Sequence, residues 1–382
     1  MISFAEHIDE TMPRRVALGM SGGVDSSVSA RMLMDAGFDV VGVTCVFVDD
    51  EATRHAVADA RAVADMLGIA HVVKDCTERF SCTVVDPFVE AYASGETPSP
   101  CVACNRSCKI PSLIEAADEQ GCPFIATGHY AKVVRRDGRF AIARAAYLPK
   151  DQSYMLSLLS QDVLARLLLP LGSIAQGKAY IRDLAASWGL PVASKSDSQD
   201  ICFIHGSHLD FLSERGLAGR RGAIVTLDGR VVGSHEGLHR YTMGQRKGLD
   251  IGGAPEPYYV VGKRFEENEL VVAFVSEASI DGVCVKDALW QAVSPDVVAE
   301  ACKADGSFPC SVKLRYRQNA APCRIVHCDA ADASAGATRV RIELEEPQAT
   351  TAPGQYAVFY DDDVVLGGGV IESLTRNGRD IR

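Results

Sequence analysis

The stretch GMSGGVDSS, residues 19–27, follows a short apolar run at residues 16–18 and precedes an amphipathic segment at residues 27–36. This order predicts a buried strand, a glycine turn and a helix. The glycines let the backbone turn tightly, so several amide N–H groups can converge on an anion at the start of the helix. The stretch therefore predicts an anion-binding loop between the first strand and the first helix.

Two common nucleotide-binding motifs are absent from this loop. It lacks the Gly-Lys-Ser/Thr of a Walker A motif and the G-x-G-x-x-G of a dinucleotide fold. Asp25 is an unusual residue beside phosphates unless a Mg²⁺ ion lies between them, so we expect a Mg²⁺-dependent site. The alternative is a plain strand-to-helix turn, which the Ser-Gly-Gly-x-Asp-Ser combination disfavours.

The rest of the first half alternates strand-like and helix-like segments. Strands are predicted at 40–48, 70–73 and 124–127, and helices at 51–67, 77–94 and 112–120. This β-α-β-α order predicts an α/β fold with a parallel sheet and helices on both faces. After about residue 205, short strands with turn signals predominate, as in TLDGRVVGS (226–234). From about residue 285 the pattern predicts a small β-barrel or sandwich.

Length and charge limit the class of protein. A chain of 382 residues with 47% hydrophobic residues predicts two or three globular domains. The net charge of −11 disfavours non-specific coating of nucleic acid but allows a locally basic face. The amino terminus does not resemble a signal peptide, and no apolar run is long enough to span a bilayer. We therefore expect a cytoplasmic protein without a membrane partner, in which thiols stay reduced.

Three of the thirteen cysteines, Cys101, Cys104 and Cys108, lie in TPSPCVACNRSC (97–108), which we expect to form a loop. An odd, scattered set fits no disulfide framework. The C-x-x-C spacing lets two thiolates bind one metal or cluster. Zinc-ribbon spacing is missing, as is the strand-to-helix context of a thioredoxin-like pair. The residues alone leave open a metal site, a redox or sulfur-carrying pair, and ordinary buried thiols.

SGGVDSS resembles the pyrophosphate loop of N-type ATP pyrophosphatases, which cleave ATP to AMP and pyrophosphate. Five further stretches resemble the tRNA-specific 2-thiouridylase family, also called MnmA or TrmU. They are ATGHYAKV (126–133), KDQSYML (150–156), SKSDSQDICFI (194–204), HRYTMGQRKGLDIGG (239–253) and APGQYAVFY (352–360). The resemblance runs in order from Gly19 to about Ile371, which is nearly the whole chain.

The resemblance implies three domains and one reaction. The domains are an adenylation and sulfur-transfer domain (1–209), a central tRNA-binding domain (210–282) and a carboxy-terminal β-barrel that contacts tRNA (283–382). The reaction is ATP-dependent replacement of the C2 oxygen of the wobble uridine by sulfur, through an adenylated intermediate. A small-molecule adenylating ligase of the same superfamily and a nucleotide-responsive metal or redox sensor are the alternatives.

The resemblance also implies roles for single residues. Cys104 would be the nucleophile, and Cys202 would carry a persulfide taken from a sulfur-donor protein, with a transient disulfide between the two. The residues that would bind ATP are Gly19, Met20, Ser21, Gly22, Gly23, Val24, Asp25, Ser26, Cys45 and Gly128. The residues that would contact the target base and the tRNA anticodon arm are Ser99, Pro100, Cys101, His129, Lys150, Asp151, Gln152, Arg315, Tyr316 and Gln355.

The chain departs from the family pattern at Cys101, where the family has an aspartate suited to act as a general base. Related tRNA thiolases of the superfamily use a C-x-x-C and one distant cysteine to hold a 4Fe–4S cluster. Cys101, Cys104 and Cys202 would supply that set here. A persulfide route and a cluster route therefore both stay open, and Cys108 has no role in either.

Overall fold

The structure is a computed structural model that describes residue 8 and residues 11–195, 201–329 and 338–381. Residues 196–200, within the motif at 194–204, lie outside the described residues. The helices are α1 (Val24–Asp35), α2 (Glu51–Leu67), α3 (Thr77–Phe80), α4 (Asp86–Ala93), α5 (Pro100–Cys104), α6 (Ile110–Glu119), α7 (Gln161–Arg166), α8 (Gly177–Ser187), α9 (His208–Glu214) and α10 (Pro295–Ala304).

The strands follow in chain order and form three sheets. They are β1 (Arg15–Gly19), β2 (Asp39–Val46), β3 (Ala70–Asp75), β4 (Phe124–Ala126), β5 (Ala131–Arg136), β6 (Arg139–Arg144), β7 (Leu167–Leu168), β8 (Gly222–Thr226), β9 (Val231–His235), β10 (Tyr259–Arg264), β11 (Glu269–Ala273), β12 (Ser279–Trp290), β13 (Phe308–Lys313), β14 (Ala321–Cys328), β15 (Val340–Ala349), β16 (Tyr356–Asp361), β17 (Val364–Arg376) and β18 (Arg379–Ile381).

The chain divides into two compact units, and each has its own core. The first unit comprises Met1–Val85, Pro100–Phe203 and Asp363–Leu366. The second comprises Asp86–Ser99, Ile204–Asp362 and Gly367–Arg382. The predicted central domain therefore lies in the second unit, as does the predicted carboxy-terminal domain apart from Asp363–Leu366.

A five-stranded parallel sheet, in the order β3-β2-β1-β4-β7, forms the centre of the first unit. Residues 16–18 of the central strand β1 are fully buried, because strands flank them and helices cover them. Val28 and Leu33 of α1 pack into the same core. The predicted parallel α/β fold is confirmed.

The helix predicted at 51–67 has those bounds in the structure. At its start, the Asp50 carboxylate accepts a hydrogen bond from the backbone N–H of Thr53 at 2.7 Å. At its end, Gly68 adopts the left-handed conformation with φ 68°. Gly68 marks the end of this helix in the sequence, which is one reason why the prediction was accurate.

The cysteine-rich stretch is helical, so the loop predicted for it is wrong. Pro100 begins α5, a π-helical turn spans Asn105–Lys109, and α6 continues from Ile110. The helix predicted at 77–94 is likewise interrupted by a π-helical turn at Ser81–Val85. A proline, Pro87 or Pro111, follows each π-helical turn by two residues. Since proline lacks an N–H and its ring clashes with the carbonyl four residues earlier, the wider turn accommodates it without ending the helix.

The second unit contains a small sheet and a barrel. The small sheet has the order β10-β11-β8-β9, with a turn between β8 and β9 where TLDGRVVGS predicted one. In the barrel the order is β12-β15-β14-β13-β16-β17, and pairing of β12 with β17 closes it. The pattern that predicted a barrel or a sandwich therefore corresponds to a closed barrel. Among the described residues, no helix has both the length and the apolar character needed to span a bilayer.

Gly22 provides a test of the loop geometry. Its φ is +65°, and a Cβ there would lie 2.3 Å from the backbone oxygen of Ala56 on α2. Gly22→Ala should lower the free energy of unfolding by about 1–3 kcal/mol, because it combines backbone strain with a clash against backbone. Denaturant unfolding measures this. Gly23→Ala is the matched control, because a Cβ at Gly23 meets only Ser21 Oγ, at 3.4 Å. Equal stability of the two variants would contradict the loop geometry.

Candidate functional site

The loop between β1 and α1 leaves backbone donors free for an anion. The hydroxyls of Ser26 and Ser27 donate to the carbonyl of Gly23 at 3.1 and 2.9 Å, and Ser21 N donates to Ser26 Oγ at 3.3 Å. The residue that begins α1, Gly23, has an extended backbone and no side chain to cap the helix. No side chain of Gly23 therefore competes with an anion for the first amides of α1, and anion binding there stays a prediction.

Asp25 is already paired with a cation. Lys178 Nζ, at the start of α8, lies 2.5 Å from Asp25 Oδ2, and the hydroxyl of Tyr130 donates to Asp25 Oδ1 at 2.7 Å. The sequence suggested a Mg²⁺ ion between Asp25 and the phosphates but did not predict that Lys178 pairs with this carboxylate. Asp25 remains the kind of oxygen ligand that Mg²⁺ prefers alongside substrate phosphates.

A second lysine supports the loop from the other side. Lys195 Nζ donates to the carbonyl of Gly22 at 3.0 Å and lies 2.5 Å from Asp59 Oδ2 on α2. This contact holds the carbonyl of the left-handed glycine in place. These roles of Lys178 and Lys195 could not be predicted from the sequence, because each lysine pairs with a residue more than 130 positions away in the chain.

Gly128, predicted to border the adenine, lies directly against the loop. A Cβ at Gly128 would come within 3.0 Å of Ser26 N and 3.1 Å of the Asp25 carbonyl carbon. Any side chain there would displace the loop backbone, which explains the glycine in ATGHYAKV. Cys45, which was also predicted to bind ATP, is the penultimate residue of β2 and donates its S–H to Cys76. This hydrogen bond lowers the pKa of Cys76 to about 7 and raises that of Cys45.

Cys104 is an acidic thiol because of its neighbour one turn along the helix. The S–H of Cys108 donates to the Cys104 sulfur and lowers the pKa of Cys104 to about 6, and the ammonium and backbone N–H of Lys109 act in the same direction. The same hydrogen bond raises the pKa of Cys108, so Cys108 stays protonated. Cys108, which had no role in the sequence analysis, thus sets the protonation state of Cys104.

The structure brings Cys202 into electrostatic range of Cys104 and Cys101, although 98 positions separate Cys202 from Cys104. Desolvation, followed by the charge of Cys104, raises the pKa of Cys202 to about 11. Desolvation also raises the pKa of Cys101. At neutral pH one thiolate, Cys104, therefore lies among protonated thiols.

These cysteines are not arranged as metal ligands. Within the described ranges, no three His, Cys, Asp or Glu side chains are placed so that they could hold a metal ion. The set Cys101, Cys104 and Cys202 therefore does not fit a cluster in this conformation. The cluster ligands stay a prediction.

The residues predicted to contact tRNA in the first unit are partly occupied by the chain itself. His129 Nδ1 is 2.8 Å from Thr127 Oγ1, and burial, then Lys109, holds its pKa well below the usual range, so His129 is neutral at pH 7. Asp151 is buried and accepts hydrogen bonds from Ala145 N and from Ser153 N and Oγ.

Gln152 exchanges two hydrogen bonds with the backbone of Tyr130. Its Oε1 accepts from Tyr130 N at 2.9 Å, and its N–H donates to the Tyr130 carbonyl at 2.8 Å. Lys150 is half-buried at the end of a 3₁₀ turn. The segment 150–152 thus fixes the loop that carries His129, and Lys150 is its cation.

The predicted contacts in the second unit also have internal partners. Gln355 Nε2 donates to the Thr97 carbonyl at 2.5 Å, two residues before Ser99. Arg315 donates to the carbonyls of Met243 and Thr350 at 2.8 and 2.9 Å, and Lys313 Nζ lies 5.9 Å from the centre of the Tyr316 ring. Arg315 therefore links the β-barrel to the segment before β10, in addition to any contact with tRNA.

Three family models match consecutive parts of the chain. The tRNA methyl transferase HUP domain matches residues 14–206, the tRNA methyl transferase PRC-barrel domain matches 209–274, and the aminomethyltransferase beta-barrel domain matches 281–371. The tRNA-specific 2-thiouridylase MnmA of Symbiobacterium thermophilum is 40% identical over 94% of this chain and 92% of its own length. The MnmA protein of Sorangium cellulosum is 42% identical over 95% and 93%. This chain belongs to the MnmA family of tRNA-specific 2-thiouridylases.

The family assignment agrees with the resemblance in the six sequence motifs. A solved U34-tRNA thiolase, NcsA from Methanococcus maripaludis with its [4Fe-4S] cluster, is 17% identical and aligns over 56% of this chain and 68% of its own, with a TM-score of 0.34. That likeness is too low to inform the cluster question. The sequence of this family member has a thiol at position 101 and the thiol pair Cys104 and Cys108.

The Cys104–Cys108 hydrogen bond predicts a pH-dependent reactivity. Alkylation of Cys104 should have a midpoint near pH 6, and alkylation of Cys202 one near pH 11, because only the thiolate reacts. Cys108→Ala removes the donor and should move the Cys104 midpoint upward, toward the ordinary thiol value of about 8.5. Mass spectrometry of peptides after timed iodoacetamide treatment measures each site.

Cys108→Ser is the matched control, because its hydroxyl keeps a hydrogen-bond donor beside Cys104. Its Cys104 midpoint should stay close to that of the wild type. An unchanged midpoint in Cys108→Ala would show that Cys108 does not control Cys104.

Proposed function

We propose that this chain catalyses ATP-dependent 2-thiolation of the wobble uridine of tRNA. The chain adenylates the C2 oxygen of the uridine, releasing pyrophosphate, and a cysteine-borne sulfur then displaces AMP. The observation that carries the proposal is the pairing of an anion-binding loop with an acidic cysteine, Cys104, and a second cysteine, Cys202, in one compact unit. Membership of the MnmA family supports the choice of substrate.

The loop side of the site accounts for adenylation. A uracil carbonyl oxygen is a poor leaving group, and transfer of AMP to it creates a good one. The amides at the start of α1 would bind the phosphates. Because Gly128 has no side chain, its backbone can lie close to the loop without displacing it. Mg²⁺, held by Asp25 and the phosphates, would neutralise charge on the departing pyrophosphate.

The cysteine side accounts for sulfur transfer. Cys202 would accept sulfur from a donor protein as a persulfide, Cys202–S–SH. The Cys104 thiolate attacks the inner sulfur of the persulfide, which forms a Cys104–Cys202 disulfide and releases hydrosulfide. Hydrosulfide attacks C2, AMP leaves, and the proton passes to solvent, which gives 2-thiouridine. A thiol reductant then restores both cysteines.

The pKa values suit these roles. Cys104 has a pKa of about 6 and is a thiolate at neutral pH, which an attacking sulfur must be. Cys202, with a pKa raised to about 11, is an unreactive thiol until it receives sulfur. The raised pKa of Cys101 keeps that thiol protonated, so Cys101 does not replace the family's aspartate as a base.

The tRNA partner would be held by residues outside the catalytic pair. Lys150 supplies a cation in the first unit, and in the second Arg315 supplies another, two residues from Lys313, whose ammonium lies beside the Tyr316 ring. This combination suits a phosphate contact together with stacking on an unpaired base. Since the target uridine lies in a loop, its removal from the stack costs only a few kcal/mol.

Nucleoside mass spectrometry of tRNA from cells that lack the protein tests the proposal. We expect 2-thiouridine to disappear and to return with the wild-type chain. Cys104→Ala and Cys202→Ala should each fail to restore it, because each removes one sulfur of the transfer pair. Cys284→Ala, which changes a cysteine of the β-barrel, is the matched control and should restore it. Unchanged 2-thiouridine without the protein would refute the proposal.

Iron and sulfide analysis of the anaerobically purified protein separates the two sulfur routes. The persulfide route predicts no stoichiometric iron and a persulfide on Cys202 after incubation with a sulfur donor. About four irons per chain, lost in Cys101→Asp, would instead assign the cluster route.

A further inference from the structure

The packing of α8 places the ammonium of Lys178 beside Asp25. Lys178 is the second residue of α8, and Ile181 and Ala185, three and seven residues later, lie on the same face of the helix. Both are fully buried in the core that contains Val28 of α1. The face of α8 that packs on α1 therefore also directs Lys178 toward the loop.

Lys178 and Tyr130 bind different oxygens of the same carboxylate. Lys178 Nζ pairs with Oδ2, and the hydroxyl of the buried Tyr130 donates to Oδ1. If Lys178 leaves, Tyr130 still fixes the orientation of Asp25. The carboxylate can therefore exchange its cation without losing its position.

The two lysines at the loop differ in what they contact. Lys195 bonds to the backbone carbonyl of Gly22, so its removal alters the loop itself. The Asp25 contact of Lys178 is to a side chain. Because Lys178 pairs with Asp25, its ammonium lies near the start of α1. The phosphates of a nucleotide bound there would add several negative charges. A long, flexible lysine side chain can move a short distance from Asp25 to such an anion.

We propose that Lys178 is a phosphate-binding residue of this site: its ammonium, which pairs with Asp25, transfers to the pyrophosphate portion of ATP when the nucleotide binds. The proposal rests on the adenylation reaction proposed above. In this proposal a side chain of α8, far from the loop in sequence, neutralises negative charge on the pyrophosphate. Lys178 would then stabilise the pyrophosphate as it departs and would contribute nothing to the binding of AMP.

Calorimetric titration with inorganic pyrophosphate and, separately, with AMP tests this assignment without any turnover. Lys178→Met should weaken pyrophosphate binding about 10-fold or more, the cost of a lost charge-assisted hydrogen bond, and should leave AMP binding within about twofold. Lys178→Arg should retain most of the pyrophosphate affinity, because it keeps the charge. Lys74→Met is the matched control: Lys74 is similarly buried and paired with Glu115 and Glu119, and it should change neither affinity.

Two outcomes would overturn the inference. Unchanged pyrophosphate affinity in Lys178→Met would mean that Lys178 does not contact the phosphates, and an equal loss of pyrophosphate and AMP binding would mean that it only maintains the loop. If Lys178→Met does not fold, Lys178→Gln, which keeps a polar end group and removes the charge, gives the same comparison. Pyrophosphate binding that depends on Lys178, in a wild-type chain that forms no 2-thiouridine, would refute the proposed function and leave the Lys178 contact standing.

Discussion

The left-handed backbone of Gly22 against the Ala56 carbonyl is the constraint on which the nucleotide side of the site depends. It brings the turn so close to α2 that no Cβ fits, and Lys195 then holds the Gly22 carbonyl. With the turn fixed, the start of α1 is fixed, and the Asp25 carboxylate faces Tyr130 and Lys178. Each of these contacts comes from a different element, so the loop can keep its shape when no anion is bound.

The cysteine side depends on a different local device, the π-helical turn at Asn105–Lys109. Pro111 requires the helix to widen at this point. Cys104 precedes the turn and Cys108 and Lys109 lie within it, so a thiol, a backbone N–H and an ammonium all act on one sulfur. A single helical segment thus converts an ordinary thiol into a thiolate at neutral pH without a histidine partner, since His129 is itself neutral.

Much of the fold was predictable because its signals are local. Gly68 marked the end of α2, and alternating strand and helix patterns predicted the parallel sheet. The cysteine segment was predicted as a loop, whereas in the structure a π-helical turn accommodates Pro111 within a continuous helix. The motifs identified Cys104, Cys202 and the loop, but the partners Lys178, Lys195 and Tyr130 could not be predicted. Their pairings are set by packing between distant elements, and nothing in the local sequence of α8 marks Lys178.

The thiol at position 101 is consistent with the charge distribution around it. An aspartate there would add a negative charge next to the Cys104 thiolate and would raise the pKa of Cys104, because like charges disfavour ionisation. A protonated Cys101 adds no such charge, so the low pKa of Cys104 requires only Cys108 and Lys109. A thiol rather than a carboxylate at position 101 and the low pKa of Cys104 are therefore linked. A chain that restored the aspartate would need a further cation near Cys104 to keep it ionised at the same pH.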